Sequence, residues 1–367
     1  MTISTFPPSV AVAEKMADPT RRSVRIWLGM VAALIVLMVI VGGATRLTGS
    51  GLSITEWRPV TGMLLPLTET SWLAEFEKYR ATPQYQLLNH GMTLGEFQFI
   101  YLWEWGHRQL GRLIGFIYLL PLLWFAYRGV VRGRFLATLL AIGLLGGAQG
   151  GIGWIMVASG LEPGMTAVAP IKLMLHLVAA CGLFVAVVWI AVGLRDRHAR
   201  IAVPARLRIT GSIAVAAILV QIALGALVAG LNAGMSFNTW PLMAERLIPD
   251  SFTLLQVSPW WRNLVESTAL VQFNHRVGAY LLLALVVWHA IDAARAAPGS
   301  KTVRMARVLA GLVLAQAAIG IMTLLLFAPL WAALLHQAMA VLLLGHAVAH
   351  RRMMSPARVF PVQPASA

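Results

Sequence analysis

The chain has 367 residues, of which 59% are hydrophobic and 12% charged, and its mean hydropathy is +0.75. Soluble globular domains carry about a quarter charged residues, so these values exclude that class and place the chain in a bilayer. The formal net charge of +15 would suit nucleic acid on a soluble surface, but here it is distributed by segment and sets orientation.

The first 25 residues, rich in Ala, Pro, Ser and Thr, read as a cytoplasmic tail. They lack an apolar core followed by a small-residue cleavage site, so the first span is expected to serve as an uncleaved signal. Apolar runs near or above the roughly 18–20 residues that cross a hydrocarbon core fall at 26–45, 108–127, 137–158, 173–194, 209–230, 276–294, 306–327 and 332–349. The expected fold is an all-α membrane protein, with eight transmembrane helices forming two similar four-helix bundles in tandem. These are an N-terminal half at 26–198 and a C-terminal half at 199–350, followed by a cytoplasmic tail at 351–367. Of the 29 Lys and Arg residues, 19 fall in the N-terminus, the C-terminus and the segments after the second, fourth and sixth spans, together with only 4 of the 14 acids. By the positive-inside rule both termini are cytoplasmic, the loops 46–105 and 231–273 face outward, and no nucleic-acid partner is implied. Cys181 is the single cysteine, which precludes an intramolecular disulfide or a cysteine-only metal site and suits a small buried hydrophobe.

The chain repeats itself. Glu104-Trp105-Gly106-His107-Arg108 is echoed by Gln272-Phe273-Asn274-His275-Arg276, and Leu175-His176-Leu177 by Leu335-His336-Gln337. Gly51-Leu52-Ser53-Ile54-Thr55-Glu56-Trp57 matches Gly234-Met235-Ser236-Phe237-Asn238-Thr239-Trp240, and Ala148-Gln149-Gly150-Gly151-Ile152-Gly153 matches Ala315-Gln316-Ala317-Ala318-Ile319-Gly320. Such order implies two structurally similar halves, each one supersecondary unit.

Four histidines, His107, His176, His275 and His336, lie in the first turns of spans that run from outside to inside, so they are expected at one depth near the outer face. A lone histidine on an apolar helix is usually a packed core residue, but two per half at one depth form a ligand pattern. A pair of imidazoles without a carboxylate or thiolate leaves zinc incompletely coordinated, whereas haem supplies four nitrogens and needs two axial ligands. Small residues at Gly150, Gly151, Gly153, Ala317 and Ala318 leave room for a flat macrocycle. Arg108 and Arg276 are placed either to meet propionates or to anchor at the interface. His90, His198, His289, His346 and His350 have no counterparts in the other half and read as solvated or packed.

The halves differ where chemistry would need it: Glu104 stands three residues before His107, Gln272 three before His275. Residues three apart share a helix face, so one half carries a carboxylate, a catalytic candidate, beside its ligand. The competing reading of Glu104 is a helix-terminal cap.

The chain resembles the haem A synthase family, in the subgroup shared by alphaproteobacteria and mitochondria. The resemblance rests on Thr45-Arg46-Leu47-Thr48-Gly49-Ser50-Gly51-Leu52-Ser53 with Glu56-Trp57, on Glu104-Trp105-Gly106-His107-Arg108, on Gln149-Gly150 with Gly153-Trp154, and on Asn274-His275-Arg276. It spans residues 26 to 350. It implies an oxidoreductase acting on CH groups, which converts the C8 methyl of haem O to a formyl group with oxygen from water. His275 and His336 would ligate a haem b cofactor acting as electron relay, His107 and His176 would face the substrate haem, and Glu104 would match the family's important acid. Implied partners are the substrate haem O, haem O synthase, an electron acceptor of unidentified kind and membrane lipid, and a homo-oligomer is compatible with all of this. The setting is the bacterial inner membrane with the site near the outer, periplasmic face. Another branch of the family has a cysteine pair in its first outer loop; none occurs here, so a disulfide-exchange step does not transfer. The alternative function is a bis-His two-haem electron-transfer cytochrome, which would need histidines near both membrane faces.

Overall fold

A computed structural model describes residues 19–195, 203–243 and 245–355. His198 and, of the expected tails 1–25 and 351–367, residues 1–18 and 356–367 lie outside the described residues; residues 19–25 and 351–353, expected in the tails, belong to α1 and α12. Twelve α-helices make up the described chain: α1 (Pro19–Leu47), α2 (Glu69–Arg80), α3 (Pro83–Leu88), α4 (Leu94–Tyr127), α5 (Gly133–Gly160), α6 (Pro170–Gly193), α7 (Ala205–Gly230), α8 (Ser251–Leu254), α9 (Asn263–Glu266), α10 (Thr268–Ala296), α11 (Lys301–Leu325) and α12 (Leu330–Met353). Eight of them, α1, α4, α5, α6, α7, α10, α11 and α12, are long and apolar enough to cross a membrane, as the hydropathy pattern requires. Among the described residues there is no strand; Met243 and Arg246 form an isolated bridge.

Local chemistry sets the helix starts. Thr68 with Ser71 and Thr93 with Glu96 form reciprocal capping boxes for α2 and α4, and Ser267 and Ser300 cap α10 and α11; each satisfies backbone donors that a helix start leaves open. Between α4 and α5 the chain reverses through Gly129 and Gly133, at φ 66° and 54°, a left-handed conformation that glycine adopts without a Cβ clash.

In the first ring of helices α1 packs on α4 and α6, and α5 joins α6 to α4; in the second, α7 packs on α10 and α12, and α11 joins α10 to α12. The rings meet along α6 against α7 and α12, and along α1 against α12. The face carrying residues 48–93 and 231–267 is called here the loop face. One buried apolar cluster, including Trp27, Tyr118, Leu122, Phe135 and Ile190, fills the first ring away from that face. A second, including Cys181, Phe184, Ile218, Leu282 and Leu344, fills the second ring and the seam.

Several helices start earlier than the hydropathy reading, α1 at Pro19 against 26 and α10 at Thr268 against 276, and the largest difference is in the second span. The second span was expected from 108, but α4 starts at Leu94, because its first turns are a polar and aromatic extension standing on the loop face. Phe97, Ile100 and Tyr101 of that extension pack with Phe76, Tyr79 and Tyr85 into a separate cluster, in which Phe97 stacks on Phe76 with ring centroids 4.8 Å apart. An apolar-run count cannot see this turn of helix, since Glu96, Gln98 and Glu104 interrupt it.

Candidate functional site

Each ring places its histidines on one diagonal. His107 and His176 stand on α4 and α6, His275 and His336 on α10 and α12, helices that oppose each other across the ring. The other diagonal supplies glycines. A Cβ on Gly42 of α1 would stand 3.0 Å from His107 Nε2, one on Gly153 of α5 3.0 Å from His176 Cε1, one on Gly225 of α7 3.1 Å from His275 Cε1, and one on Gly320 of α11 2.8 Å from His336 Cε1. Every repeated histidine thus sits against the bare backbone of a glycine, at a distance that a Cβ would meet only if the ring gave way. The four glycines lie five to seven residues from the loop-face ends of their helices, about 8–11 Å at a rise of 1.5 Å per residue. This aligns all four imidazoles at similar depth. His107 is nevertheless thirteen residues into α4, whereas the other three are six or seven residues into their helices; the outer extension of α4 accounts for the difference.

Glutamines complete three of the seats. Gln149 Nε2 donates to the His176 carbonyl at 2.6 Å and lies 3.2 Å from its Nδ1. Gln221 Nε2 donates to the His275 carbonyl at 2.9 Å and lies 3.1 Å from Nδ1. Gln316 Nε2 donates to the His336 carbonyl at 3.0 Å, with Nδ1 at 3.1 Å and Nε2 at 3.4 Å. In all three the amide Oε1 is buried without a partner.

These features fit iron porphyrin. The rings of His275 and His336 are 6.4 Å apart between centroids, close to the roughly 6 Å expected when two imidazoles bind one metal at about 2 Å from opposite sides. Among the described residues no group of three or more His, Cys, Asp or Glu is set to hold a bare metal ion, while two axial histidines are what a macrocycle that brings its own four nitrogens requires. The apolar clusters stop on the far side of the histidines from the loop face. Of the small residues singled out from the sequence, Gly153 is itself a seat, a Cβ on Gly151 would stand 3.5 Å from the Trp57 ring, and one on Gly150 would meet nothing within 4 Å.

Glu104 is 3% exposed and is not a helix cap, since Thr93 and Glu96 fill that position. Its Oε2 accepts from Ser53 Oγ and from the Ile54 backbone N–H, both at 2.8 Å, and its Oε1 accepts from Arg108 Nη2 at 2.6 Å. Of about four lone-pair directions on a carboxylate, three are filled. Arg108 also donates to the Ile54 and Glu56 carbonyls. In the second ring Gln272 and Arg276 both donate to the Phe237 carbonyl, at 3.0 and 2.9 Å, and Arg276 reaches the Leu242 carbonyl. Both arginines are therefore engaged with loop carbonyls at the mouths of the rings, with Arg276 Nε left without a partner. Beyond Glu104 the loop-face segment is charged. Burial pulls the Lys78 ammonium down, but its hydrogen bonds with Glu75 and Glu56 outweigh this and leave its pKa above the ordinary lysine value.

The remaining histidines divide. His90 sits beside Tyr85 in the loop-face segment, and His346 Nε2 lies 2.9 Å from the Met305 carbonyl. His289 and His350, fully buried at the opposite end, share a 2.9 Å contact between their Nε2 atoms, and His289 Nδ1 lies 2.6 Å from Thr210 Oγ1. Sequence reasoning missed this pair, and it missed Gly42, Gln221 and Gly225. The available signal was the spacing Gln-x-x-x-Gly at 149, 221 and 316, with Met38-x-x-x-Gly42 at the matching place in α1.

A sequence profile of the family described as cytochrome oxidase assembly protein matches residues 25–348. A protein of Methylobacterium sp. strain 4-46 named heme A synthase is 58% identical over 353 residues, which cover 96% of this chain and 98% of the relative. Proteins of the same name are 57% identical in Methylobacterium nodulans, over 89% of this chain and 91% of the relative, and 51% identical in Bradyrhizobium sp. strain ORS 278, over 94% and 95%.

Proposed function

The chain belongs to the cytochrome oxidase assembly protein family, and on that premise we propose that it is a haem A synthase. It oxidises the C8 methyl of haem O to a formyl group through hydroxylated intermediates, with oxygen from water. The observation that carries this reading is the pair of glycine-seated histidine diagonals, of which only the N-terminal one has a buried carboxylate, Glu104, on the ligand's helix. The halves 26–198 and 199–350 divide the work into a substrate side and a cofactor side.

His275 and His336 would hold haem b, which when bound supplies a one-electron relay whose potential depends on its ligands and burial. His107 and His176 orient the porphyrin of haem O across the first ring. Turning a methyl into a formyl group consumes one water and releases four protons and four electrons, so a group that takes protons at the methyl edge is required. Glu104 has one lone-pair direction left on Oε1 for that transfer, while Ser53, Ile54 and Arg108 fix the carboxylate in place. Trp57, edge-on to Trp154 at 5.6 Å, narrows the mouth and limits how much water enters. The loop face is taken as the periplasmic side, which supplies the water, with both termini in the cytoplasm of a bacterial cell. Haem O synthase would deliver the substrate, and an electron acceptor would drain the relay. A two-haem transmembrane cytochrome is disfavoured because the four glycine-seated imidazoles lie at one depth, while His289 and His350 at the opposite end touch Nε2 to Nε2 at 2.9 Å, closer than the about 4 Å that two metal–nitrogen bonds of about 2 Å would need between them.

The test is haem content. Replacing His275 or His336 with Ala should strip most of the haem b from purified protein while it still inserts, as measured by pyridine haemochrome. Undiminished haem b in both variants overturns the cofactor assignment.

A further inference from the structure

Three of the four seats follow one pattern and the fourth departs from it. Gln149, Gln221 and Gln316 each stand four residues, one helical turn, before the glycine under a histidine, with the amide against that histidine's Nδ1. In α1 the same position is Met38, four residues before Gly42. Its Cε lies 3.4 Å from where a Cβ on Gly111 of α4 would be, much as the Gln221 amide fills the space left by Gly278 of α10. Both side chains reach the facing helix, but only the amide can serve the imidazole.

The difference bears on ligand strength. A neutral imidazole that gives its Nε2 lone pair to a metal carries its proton on Nδ1, and an acceptor there fixes the ring and raises its basicity. Each glutamine turns its Nε2 toward both Nδ1 and the histidine's own carbonyl, and its unpartnered Oε1, on the same carbon, is the acceptor that a partial turn of the amide brings to a protonated Nδ1 while the N–H stays on the carbonyl. A thioether is only a weak one. Resting on the reading that the two histidine pairs face iron porphyrins, we propose that Gln221 and Gln316 are positioning residues that make the C-terminal pair a permanent haem site. Met38, standing where a fourth glutamine would, makes His107 the ligand that releases, so the N-terminal site can exchange substrate for product. One ring retains its porphyrin and the other lets it go, from a single change of side chain at matching positions.

The experiment compares holoprotein variants for the rate at which bound haem passes to apomyoglobin, with the extracted pigments identified by chromatography. Gln221→Met should release haem b at least about tenfold faster, the low end of the 10- to 100-fold effect of removing a ligand's hydrogen-bond partner. Gln221→Glu, which keeps an acceptor, should restore retention and lower the reduction potential relative to Gln221→Met. Met38→Gln should slow release of haem O and haem A by about tenfold and raise their share of the purified pigment. It adds a group at a separate place, so it reports even where Gln221→Met does not fold. Parental release rates in Gln221→Met and Met38→Gln, together with loss of haem b from His275→Ala, overturn the positioning role alone. Undiminished haem b in both His275→Ala and His336→Ala overturns the underlying reading and this one with it.

Discussion

Glu104 and Gln272 occupy the same place on counterpart helices yet meet the loop with opposite polarity. Glu104 accepts from the Ile54 N–H and Ser53, whereas Gln272 donates to the Phe237 carbonyl. From sequence, Glu104→Gln reads as nearly isosteric, but the structure sets the new amide against the Arg108 guanidinium, and separating a buried ion pair costs about 3 kcal/mol or more. The two effects are separable. Glu104→Gln should lower haem A production by at least about tenfold with haem O or a hydroxylated intermediate accumulating, while haem b in the other ring stays near parental. Arg108→Gln breaks the same pair but keeps the carboxylate, so it should cost clearly less activity. Equal losses in the two variants, measured by chromatography of extracted haems, would reduce Glu104 to a loop anchor.

At the scale of elements, the glycines on α1, α5, α7 and α11 determine how closely the histidine-bearing helices approach. Space differs sharply between a seat glycine on α11 and a glycine on its counterpart α5. A Cβ on Gly320 would come within 2.8 Å of the His336 ring, but a Cβ on Gly150 meets nothing within 4 Å. Gly320→Ala should therefore displace His336 and lower haem b content several-fold, although alanine is the better helix former by about 1 kcal/mol. Gly150→Ala, in the other ring, should leave haem b content unchanged and raise thermal stability slightly. Haem-to-protein ratios in the two variants decide whether the seat, rather than helix propensity, is what matters.

For the whole molecule, the two rings are joined by polar contacts at the level of the sites as well as by the apolar seam. Gln337, next to His336, donates to the Val39 carbonyl of α1 at 2.6 Å, and a side chain at Gly43 would collide with its amide. Arg46 donates to the Ala229 carbonyl and to Asn232 Oδ1. α1 thus contacts His107 through Gly42 and the residue beside His336 through Val39, so a shift of one ring is felt at the other. The proposed orientation rests on the 19 basic residues that fall in the terminal segments and after the second, fourth and sixth spans of the sequence. Tags at either terminus should be protected from reagents added outside intact cells, and a cysteine placed in the 48–68 segment should be labelled. Labelled termini would invert the orientation and move the site to the cytoplasmic face.

The sequence by itself determined the membrane class, the eight spans, the four histidines and the Glu104/Gln272 difference, because apolar length, charge placement and a repeated motif are properties of the linear chain. It also carried the family, through motifs spread over most of the length. Only the tertiary structure decided which helices lie on the diagonals, that each histidine sits on a glycine from another helix, and that Arg108 closes on Glu104 and the loop. Apart from the Arg108–Glu104 pair, one turn apart on α4, those contacts join residues tens of positions apart, and packing selects them. The early start of α4 escaped the hydropathy count for a related reason: its first turns are stabilised by aromatic partners in α2 and α3 and not by lipid. Met38 shows the boundary best. In the chain it is one more apolar residue in an apolar span, and only the position of its counterpart Gln221 against His275 gives it a meaning.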